Sequence, residues 1–184
     1  MSDVIYNQLL NIINEKNILR DEYLKNHTYT KLGGKADFFI TPETYEEVQN
    51  VVKLCRQEQI PLTLIGNGSN LIVRDGGIRG VVLSLIRLNK ISADGTKITA
   101  QSGASIIDTS RAALEARLSG LEFACGIPGT VGGAVFMNAG AYGGEVKDVL
   151  ESVLVVTKEG DIIRRPAADL KLGYRTSKIQ TNGD

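Results

Sequence analysis

A run of small and polar residues, Gly66-Asn67-Gly68-Ser69-Asn70, directly follows an apolar segment over residues 61–65. The apolar segment predicts a strand, and α/β sheets bind their ligands at the carboxyl ends of strands. Glycines permit backbone conformations closed to other residues, and successive N–H groups in such a turn form a concave anion site. The run therefore predicts a phosphate-binding loop, with an ordinary polar turn as the alternative.

This loop differs from two common nucleotide-binding motifs. It lacks the Lys-Ser or Lys-Thr pair of a Walker A loop, and Leu71 stands where a dinucleotide fingerprint has its third glycine. We therefore expect backbone N–H groups, with side-chain donors from Ser69 and Asn70, to hold any phosphate.

A second stretch, residues 120–144, is far richer in glycine than the rest of the chain. It contains Gly126-Ile127-Pro128-Gly129-Thr130-Val131-Gly132-Gly133-Ala134 and, further on, Asn138-Ala139-Gly140-Ala141-Tyr142-Gly143-Gly144. Glycine offers nothing to pack in a core, whereas it lets a flat ligand lie against bare backbone. A flexible loop is the alternative, but Ile127, Val131 and Val135 are too apolar for a solvated linker. Two glycine-rich segments predict a large ligand.

The chain offers little for metal or thiol chemistry. His27 is the one histidine, and Cys55 and Cys125 form no Cys-Cys or Cys-His cluster, so we expect no metal site. Apolar neighbours of Cys125 predict a buried, unreactive thiol. Cys55 falls on a predicted core stripe, and we expect His27 to face water.

Composition and charge exclude several classes of partner. Lys plus Arg and Asp plus Glu number 21 each among the 184 residues, so the net charge is zero and a general nucleic-acid binder is not expected. The N-terminus lacks a basic region followed by an apolar run, which predicts no signal peptide. No apolar stretch reaches the roughly 18 residues of a membrane span. We expect a cytoplasmic protein with small-molecule partners.

Periodicity and turn residues predict an α/β (α+β) protein with two lobes. Residues 1–26 form an N-terminal helical segment, with a helix over 3–16. Residues 27–85 form a small parallel lobe in which Thr41-Pro42 starts the helix of a strand–helix–strand unit. Residues 86–184 form a more antiparallel lobe, with a hairpin at Asp94-Gly95, a helix over 104–118 that buries Leu114, and a hairpin at Glu159-Gly160.

Five motifs occur in a fixed order along residues 27–180. They are Thr28 to Asp37 (TYTKLGGKAD), Gly66 to Asn70 with Leu71-Ile72-Val73, Leu121 to Ala134 (LEFACGIPGTVGGA), Asn138 to Glu145 (NAGAYGGE) and Tyr174 to Ser177 (YRTS). Together they closely resemble the UDP-N-acetylenolpyruvoylglucosamine reductases, the MurB family. Lys31 stands where many members carry Arg, which preserves the cationic character.

The resemblance implies a two-lobed FAD-binding fold of the vanillyl-alcohol-oxidase / p-cresol methylhydroxylase type. It implies reduction of UDP-N-acetylglucosamine enolpyruvate to UDP-N-acetylmuramate in bacterial peptidoglycan precursor synthesis, with non-covalent FAD and NADPH as co-substrate. The cofactor-binding residues would be Gly66, Asn67, Gly68, Ser69, Asn70, Leu71, Gly126, Ile127, Pro128, Gly129, Thr130, Gly132, Gly133, Ala134, Asn138 and Gly140.

Arg175 corresponds to the family's charge-stabilising arginine, and it would bind substrate together with Tyr174. Its alternative role is a surface ion pair, and Tyr174 could instead be a packed side chain. Ser177 is not the family's proton donor: that serine and a C-terminal glutamate lie in a substrate domain that we expect beyond this sequence.

Two other functions fit the glycine-rich segments. One is a different FAD oxidoreductase of the same fold, such as a sugar or lactone oxidase, although this does not explain the YRTS and NAGAYG motifs together. The other is a non-catalytic nucleotide-binding module. A flavin that NADPH bleaches distinguishes the reductase from a colourless binding module.

Overall fold

The structure is a computed structural model that describes residues 2–182, and these residues divide into two compact units. The first unit comprises the chain up to Arg87 together with Lys158–Asp161. The second comprises Leu88–Thr157 and the chain from Ile162 onward.

A four-stranded mixed sheet forms the first unit. Its strands, in the spatial order β1-β2-β4-β3, are β1 (Ile18–Tyr23), β2 (Lys35–Ile40), β3 (Leu62–Ile65) and β4 (Ile78–Ser84). The strands β2, β4 and β3 are parallel, and β1 runs antiparallel to β2 at the edge. Phe39, Ile65 and Val82 belong to the buried cluster behind the sheet. The predicted parallel arrangement is thus confirmed, with one additional edge strand.

Strand β1 corrects the predicted N-terminal helical segment. The first helix, α1 (Ser2–Leu10), ends well before residue 16, and Ile18–Tyr23 pair with β2 instead of continuing a helix. Only Ile18 of this strand is fully buried, because its other side chains are charged or lie at the sheet edge. Without apolar alternation, nothing in its sequence distinguishes it from a polar loop.

The second helix, α2 (Tyr45–Gln57), starts three residues later than predicted. Its N-cap is Thr44, whose hydroxyl accepts a hydrogen bond from the Glu47 N–H at 3.1 Å. The Glu47 carboxylate in turn accepts from the Thr44 N–H at 3.2 Å. This reciprocal capping box stabilises both otherwise unpaired amides, so the predicted start at Thr41-Pro42 is wrong.

The second unit is built from short hairpins and helices. Its elements are β5 (Ile91–Asp94), β6 (Lys97–Ala100), α3 (Ile106–Glu115), α4 (Val131–Phe136), β7 (Gly140–Ala141), β8 (Gly144–Glu145), β9 (Ser152–Val156), β10 (Ile162–Pro166) and α5 (Ile179–Asn182). Both predicted hairpins, β5–β6 and β9–β10, are confirmed. Helix α3 buries Ile106 and Ala113 but leaves Leu114 76% exposed, so the predicted burial of Leu114 is wrong.

The turn between β9 and β10 belongs to the first unit, where it contacts α2. The Gln49 side-chain amide donates a hydrogen bond to the Gly160 carbonyl oxygen at 2.9 Å. Arg56 forms an ion pair with Glu159 at 2.5 Å. Residues 158–161 are therefore part of the surface that covers α2.

Among residues 2–182, no helix combines the length and apolar character needed to cross a bilayer. The same residues contain no group of three or more His, Cys, Asp or Glu side chains arranged to hold a metal ion.

Candidate cofactor-binding segments and the Arg175 turn

The predicted phosphate loop begins directly after β3, so it lies at the carboxyl end of a strand as expected from the sequence. Within it, Gly68 has a φ of +68° and approaches another part of the first unit closely. A Cβ at this position would lie 2.5 Å from the His27 carbonyl oxygen and 2.7 Å from the Thr28 Cα. The Gly68 carbonyl also accepts a hydrogen bond from the Tyr29 N–H at 3.1 Å. Glycine is therefore required at residue 68 by the protein's own backbone.

Several exposed residues of the loop have backbone N–H groups that are unpaired within residues 2–182. Asn67, Asn70 and Leu71 are exposed, and their N–H groups donate to no acceptor within residues 2–182. The Asn67 side chain accepts from the Ser69 N–H at 3.3 Å, which bends the loop at its centre. Unpaired amides on exposed residues of one short loop have the donor chemistry that a phosphate oxygen requires.

The backbone of His27 lies against Gly68 of this loop, and the His27 side chain is held in place by two contacts. Its Nε2 lies 2.9 Å from a Glu22 carboxylate oxygen, and its ring stacks on Phe39 with centroids 3.8 Å apart. The side chain is only 22% exposed, so the expectation that it faces water is wrong. Hydrogen bonds from Asn26 and His27 hold the pKa of the Glu22 carboxyl below its usual value. The contacts of the His27 side chain thus help to hold the backbone of residues 27 and 28, which lies against Gly68.

The second glycine-rich stretch leads into α4, whose first amides are already paired. The N–H groups of Val131 and Gly132 donate to the carbonyl oxygens of Ala104 and Ser102, each at 2.8 Å. The Gly133 N–H donates to the Thr130 hydroxyl at 3.3 Å. These hydrogen bonds join the beginning of α4 to the rest of the unit. The amides of Val131, Gly132 and Gly133 are therefore not available to bind an anion.

Exposure separates the predicted flavin-lining residues into three groups. Thr130 and Ala134 are buried, the former as the helix cap and the latter in the unit's apolar core. Gly126, Pro128 and Gly133 are exposed; Ile127, Gly129, Gly132 and Gly140 are half-buried. A flat ligand could therefore contact the exposed group, whereas the side chains of the buried residues serve the fold.

Gly126 is a position in this segment at which the fold itself does not require glycine. Its φ lies outside the left-handed region, and a Cβ built on it meets no atom within 4 Å. By contrast, a Cβ on Gly132 would lie 3.0 Å from Ser102. Bare backbone facing open space at Gly126 fits the close approach of a planar ring.

Asn138 is 2% exposed, and its side chain makes three hydrogen bonds within the second unit, two of them from its amide nitrogen. Its amide nitrogen donates to a Glu145 carboxylate oxygen at 2.7 Å and to the Gly173 carbonyl oxygen at 2.9 Å. Its side-chain oxygen accepts from the Lys147 N–H at 2.9 Å. The predicted flavin contact could therefore come from its backbone, and not from its side chain.

The Tyr174-Arg175 pair forms the tip of a tight turn. Gly173 and Thr176 close the turn through two backbone hydrogen bonds of 3.1 and 3.2 Å, and Arg175 has a left-handed φ of +54°. Tyr174 is 86% exposed, so the expectation of a packed tyrosine is wrong. Ser177 is buried and donates to the Phe136 carbonyl oxygen at 2.7 Å, in keeping with a structural role.

The Arg175 side chain is exposed, and its guanidinium makes one long hydrogen bond to the backbone. Its Nη2 lies 3.4 Å from the Gly140 carbonyl oxygen, and it forms no ion pair within residues 2–182. The alternative of a surface ion pair is therefore not observed among these residues. An arginine in this state can accept a planar carboxylate through two parallel hydrogen bonds.

Glu145 and Lys147 both contact Asn138, and neither was among the predicted site residues. The Lys147 ammonium lies 2.9 Å from the Glu145 carboxylate. The hydrogen bonds from Lys147 and Asn138, aided by the charge of Arg175, hold the pKa of the Glu145 carboxyl below its usual value. The hydrogen bond to the Glu145 carboxylate, together with the charge of that carboxylate, raises the pKa of Lys147. The glutamate that ends the NAGAYGGE motif was the available signal for this cluster.

The two cysteines differ in environment. Cys55 is buried as predicted, and burial raises the pKa of its thiol to about 11. Cys125, which adjoins Gly126, is exposed, so the prediction of a buried thiol is wrong. The short 3₁₀ helix Glu122–Gly126 buries Phe123 and Ala124 and turns the next residue outward.

Comparison with known proteins assigns the class. A family described as "FAD binding domain" matches residues 36–165, and the chain belongs to this family. Within it, the chain is similar to UDP-N-acetylenolpyruvoylglucosamine reductases, which confirms the resemblance carried by the five motifs. The reductase of Oceanobacillus iheyensis is 62% identical over 183 residues, covering 100% of this chain and 60% of the relative. That of Staphylococcus aureus is 56% identical over 176 residues, covering 96% and 57%.

Solved structures confirm the predicted fold class. The MurB crystal structure from Thermus caldophilus has a TM-score of 0.71 and 36% identity, covering 87% of this chain and 55% of its own. p-Cresol methylhydroxylase has a TM-score of 0.70 at 21% identity, covering 88% and 35%, a likeness of fold alone. The chain spans about 60% of the length of the curated reductases that it matches.

Proposed function

We propose that this chain is the FAD-binding part of an NADPH-dependent reductase that converts UDP-N-acetylglucosamine enolpyruvate to UDP-N-acetylmuramate, a cytoplasmic step of peptidoglycan precursor synthesis. The observation that carries the proposal is Arg175, an exposed guanidinium on a tight turn with no ion-pair partner within residues 2–182. The substrate's enolpyruvyl group offers the carboxylate that such a cation binds.

The cofactor would be held by the two glycine-rich segments. The exposed amides of Asn67, Asn70 and Leu71 would bind the pyrophosphate, and Gly126 and Gly133 would present bare backbone to the flavin ring. When bound, FAD supplies the capacity to accept hydride from NADPH and pass it to the substrate. The chain's own task is to hold the cofactor and substrate in a reactive orientation.

Arg175 would act on the charge that develops on the substrate. Addition of hydride to the enolpyruvyl double bond places negative charge on the adjacent carbon and its carboxylate before a proton arrives. A guanidinium remains charged throughout and can grip both carboxylate oxygens, so it stabilises that charge without itself giving up a proton.

A two-stage absorbance experiment tests this function on the full-length chain, meaning this sequence joined to the remaining portion that its relatives carry. We expect the purified protein to be yellow, NADPH to bleach the flavin, and UDP-N-acetylglucosamine enolpyruvate to restore the colour without oxygen. Denaturation should release all the flavin as FAD, because binding is non-covalent.

Other outcomes would support the rival functions. Flavin that a sugar or lactone bleaches, and that NADPH does not, would indicate an oxidase of the same fold. A protein that binds FAD but transfers no electrons with either donor would indicate a binding module. Flavin that stays attached to the denatured chain would contradict non-covalent binding.

Gly126→Ala tests whether the flavin lies against this glycine. The added methyl group meets no protein atom, so we expect the free energy of unfolding of the apoprotein to stay within about 0.5 kcal/mol of the parent. It would, however, occupy space needed by the ring, and overpacking of about 1–3 kcal/mol corresponds to a rise of roughly 5- to 150-fold in the Kd for FAD. Fluorescence titration of the full-length apoprotein measures this Kd.

Gly76→Ala is the matched control for that variant. Gly76 also has an ordinary φ and open space around its Cβ position, but it lies in the exposed turn before β4. We expect its Kd for FAD to equal that of the parent. Equal affinities for the two variants would show that no flavin contacts Gly126.

A further inference from the structure

The Arg175 turn is tied to the 138–147 segment of the second unit at two points. At its base, the Asn138 amide donates to the carbonyl oxygen of Gly173, the residue that closes the turn. At its tip, the Arg175 guanidinium lies 3.4 Å from the Gly140 carbonyl oxygen. Gly140 pairs with Glu145 across the short β7–β8 hairpin, so both points of attachment lie on one small structure.

The buried Asn138 side chain links the β7–β8 hairpin region to the Arg175 turn. The same amide nitrogen that reaches Gly173 also donates to Glu145, and the side-chain oxygen accepts from the Lys147 N–H. The residue is 2% exposed and has a left-handed φ of +42°, a conformation that asparagine tolerates better than most residues. Its side chain therefore ties the 145–147 segment and the Gly173 backbone to its own part of the chain.

Glu145 adds an electrostatic restraint to these hydrogen bonds. Its carboxylate is paired with Lys147 at 2.9 Å and also attracts Arg175 without forming an ion pair with it. This attraction favours positions of the guanidinium near the Glu145 carboxylate, and its donors stay available for a substrate because no ion pair forms between the two within residues 2–182. Because Asn138 binds Glu145 directly, loss of Asn138 would release this charge as well as the turn.

The geometry points to Asn138 as a positioning residue that orients Arg175 for the substrate's carboxylate, acting through Gly173 and Glu145 and not through the flavin. This inference rests on the proposed function, because it takes Arg175 as the group that stabilises substrate charge. Small displacements of a correctly oriented group are costly: a shift of about 1 Å can slow a reaction roughly 100-fold.

A kinetic double-mutant cycle in the full-length chain tests the inference. Asn138→Gly removes all three side-chain hydrogen bonds and suits the left-handed backbone, so the loss of contacts is separated from strain. Stopped-flow absorbance would follow flavin reduction by NADPH and reoxidation by UDP-N-acetylglucosamine enolpyruvate, in the parent, Asn138→Gly, Arg175→Ala and the double variant.

We expect Asn138→Gly to slow reoxidation by about 10- to 100-fold when Arg175 is present and by less than about twofold when residue 175 is alanine. Flavin reduction should keep its parental rate in every variant. Ser110→Ala, which removes a different buried hydrogen bond of this unit, to Leu121, should leave both steps unchanged. Glu145→Gln, a milder change, should slow reoxidation less than Asn138→Gly, with the same dependence on Arg175.

Three outcomes would overturn the inference. Equal slowing by Asn138→Gly in both backgrounds would indicate a general structural role, and slowed flavin reduction would indicate a flavin contact. If Asn138→Gly does not fold, an unchanged reoxidation rate in Glu145→Gln is the overturning result. Each of these leaves the proposed function intact, whereas a parental reoxidation rate in Arg175→Ala would overturn the role of Arg175 itself.

Discussion

Replacing Arg175 with alanine should slow reoxidation of the reduced flavin by the enolpyruvyl substrate by about 100-fold or more in the full-length chain. This is the typical loss when a preorganised charge-stabilising donor is removed. Flavin reduction by NADPH should proceed at nearly the parental rate, because no substrate carboxylate takes part in that step. Stopped-flow absorbance separates the two half-reactions.

Arg175→Lys is the control that separates charge from geometry. An ammonium keeps the positive charge but cannot form the two parallel hydrogen bonds of a guanidinium, so it should recover only part of the lost rate. All three side chains occupy the same left-handed backbone position, so backbone strain cancels in the comparison. Equal slowing of both half-reactions in Arg175→Ala would indicate a structural or flavin-binding role instead.

Gly68→Ala should destabilise the first unit and weaken FAD binding together. The new Cβ would lie within 2.7 Å of two backbone atoms, the His27 oxygen and the Thr28 Cα, and neither can move as a flexible side chain would. The loop must shift and carry its exposed amides with it. We expect the free energy of unfolding to fall by about 1–3 kcal/mol beyond the cost of the left-handed φ. The Kd for FAD should rise tenfold or more.

Gly95→Ala provides a matched reference for this variant. Gly95 has a similar φ of +55°, in the β5–β6 hairpin, but its Cβ position is surrounded by open space. Both variants carry the left-handed penalty of about 1–2 kcal/mol, and only Gly68→Ala adds a collision. Chemical denaturation and FAD titration of the two proteins therefore isolate the effect of the close contact. The same stability and affinity in both would rule out that effect.

The order and type of most elements were predictable because they depend on local chemistry. Asp94-Gly95 and Glu159-Gly160 specify tight turns whatever surrounds them, and both hairpins are present. The strand before Gly66 is short but wholly apolar apart from Thr63, so the strand and the glycine-rich turn at its end could be predicted. The helix cap at Thr44 was also encoded locally, because Thr44 and Glu47 form a Thr-x-x-Glu capping box; the prediction of Thr41 overlooked this signal.

The roles of individual site residues were less predictable because they depend on distant contacts. The Asn138 side chain is engaged by Gly173, 35 positions away, which no spacing rule indicates. Gly68 is constrained by His27, from an earlier part of the chain, and not by a ligand alone. A glycine-rich pattern indicates where another group can approach the backbone closely. Only the tertiary structure shows whether that group belongs to the protein, as it does at Gly68.

The turn that covers α2 has a consequence for how the protein is synthesised. Gln49 and Arg56 emerge from the ribosome about a hundred residues before their partners Gly160 and Glu159. Domains generally fold as units in the order of synthesis, yet the first unit here is completed only when residues 158–161 have been translated. Until then, the face of α2 that they cover is open to water and to cellular chaperones. The first unit therefore acquires its last contacts only after most of the second unit has been translated.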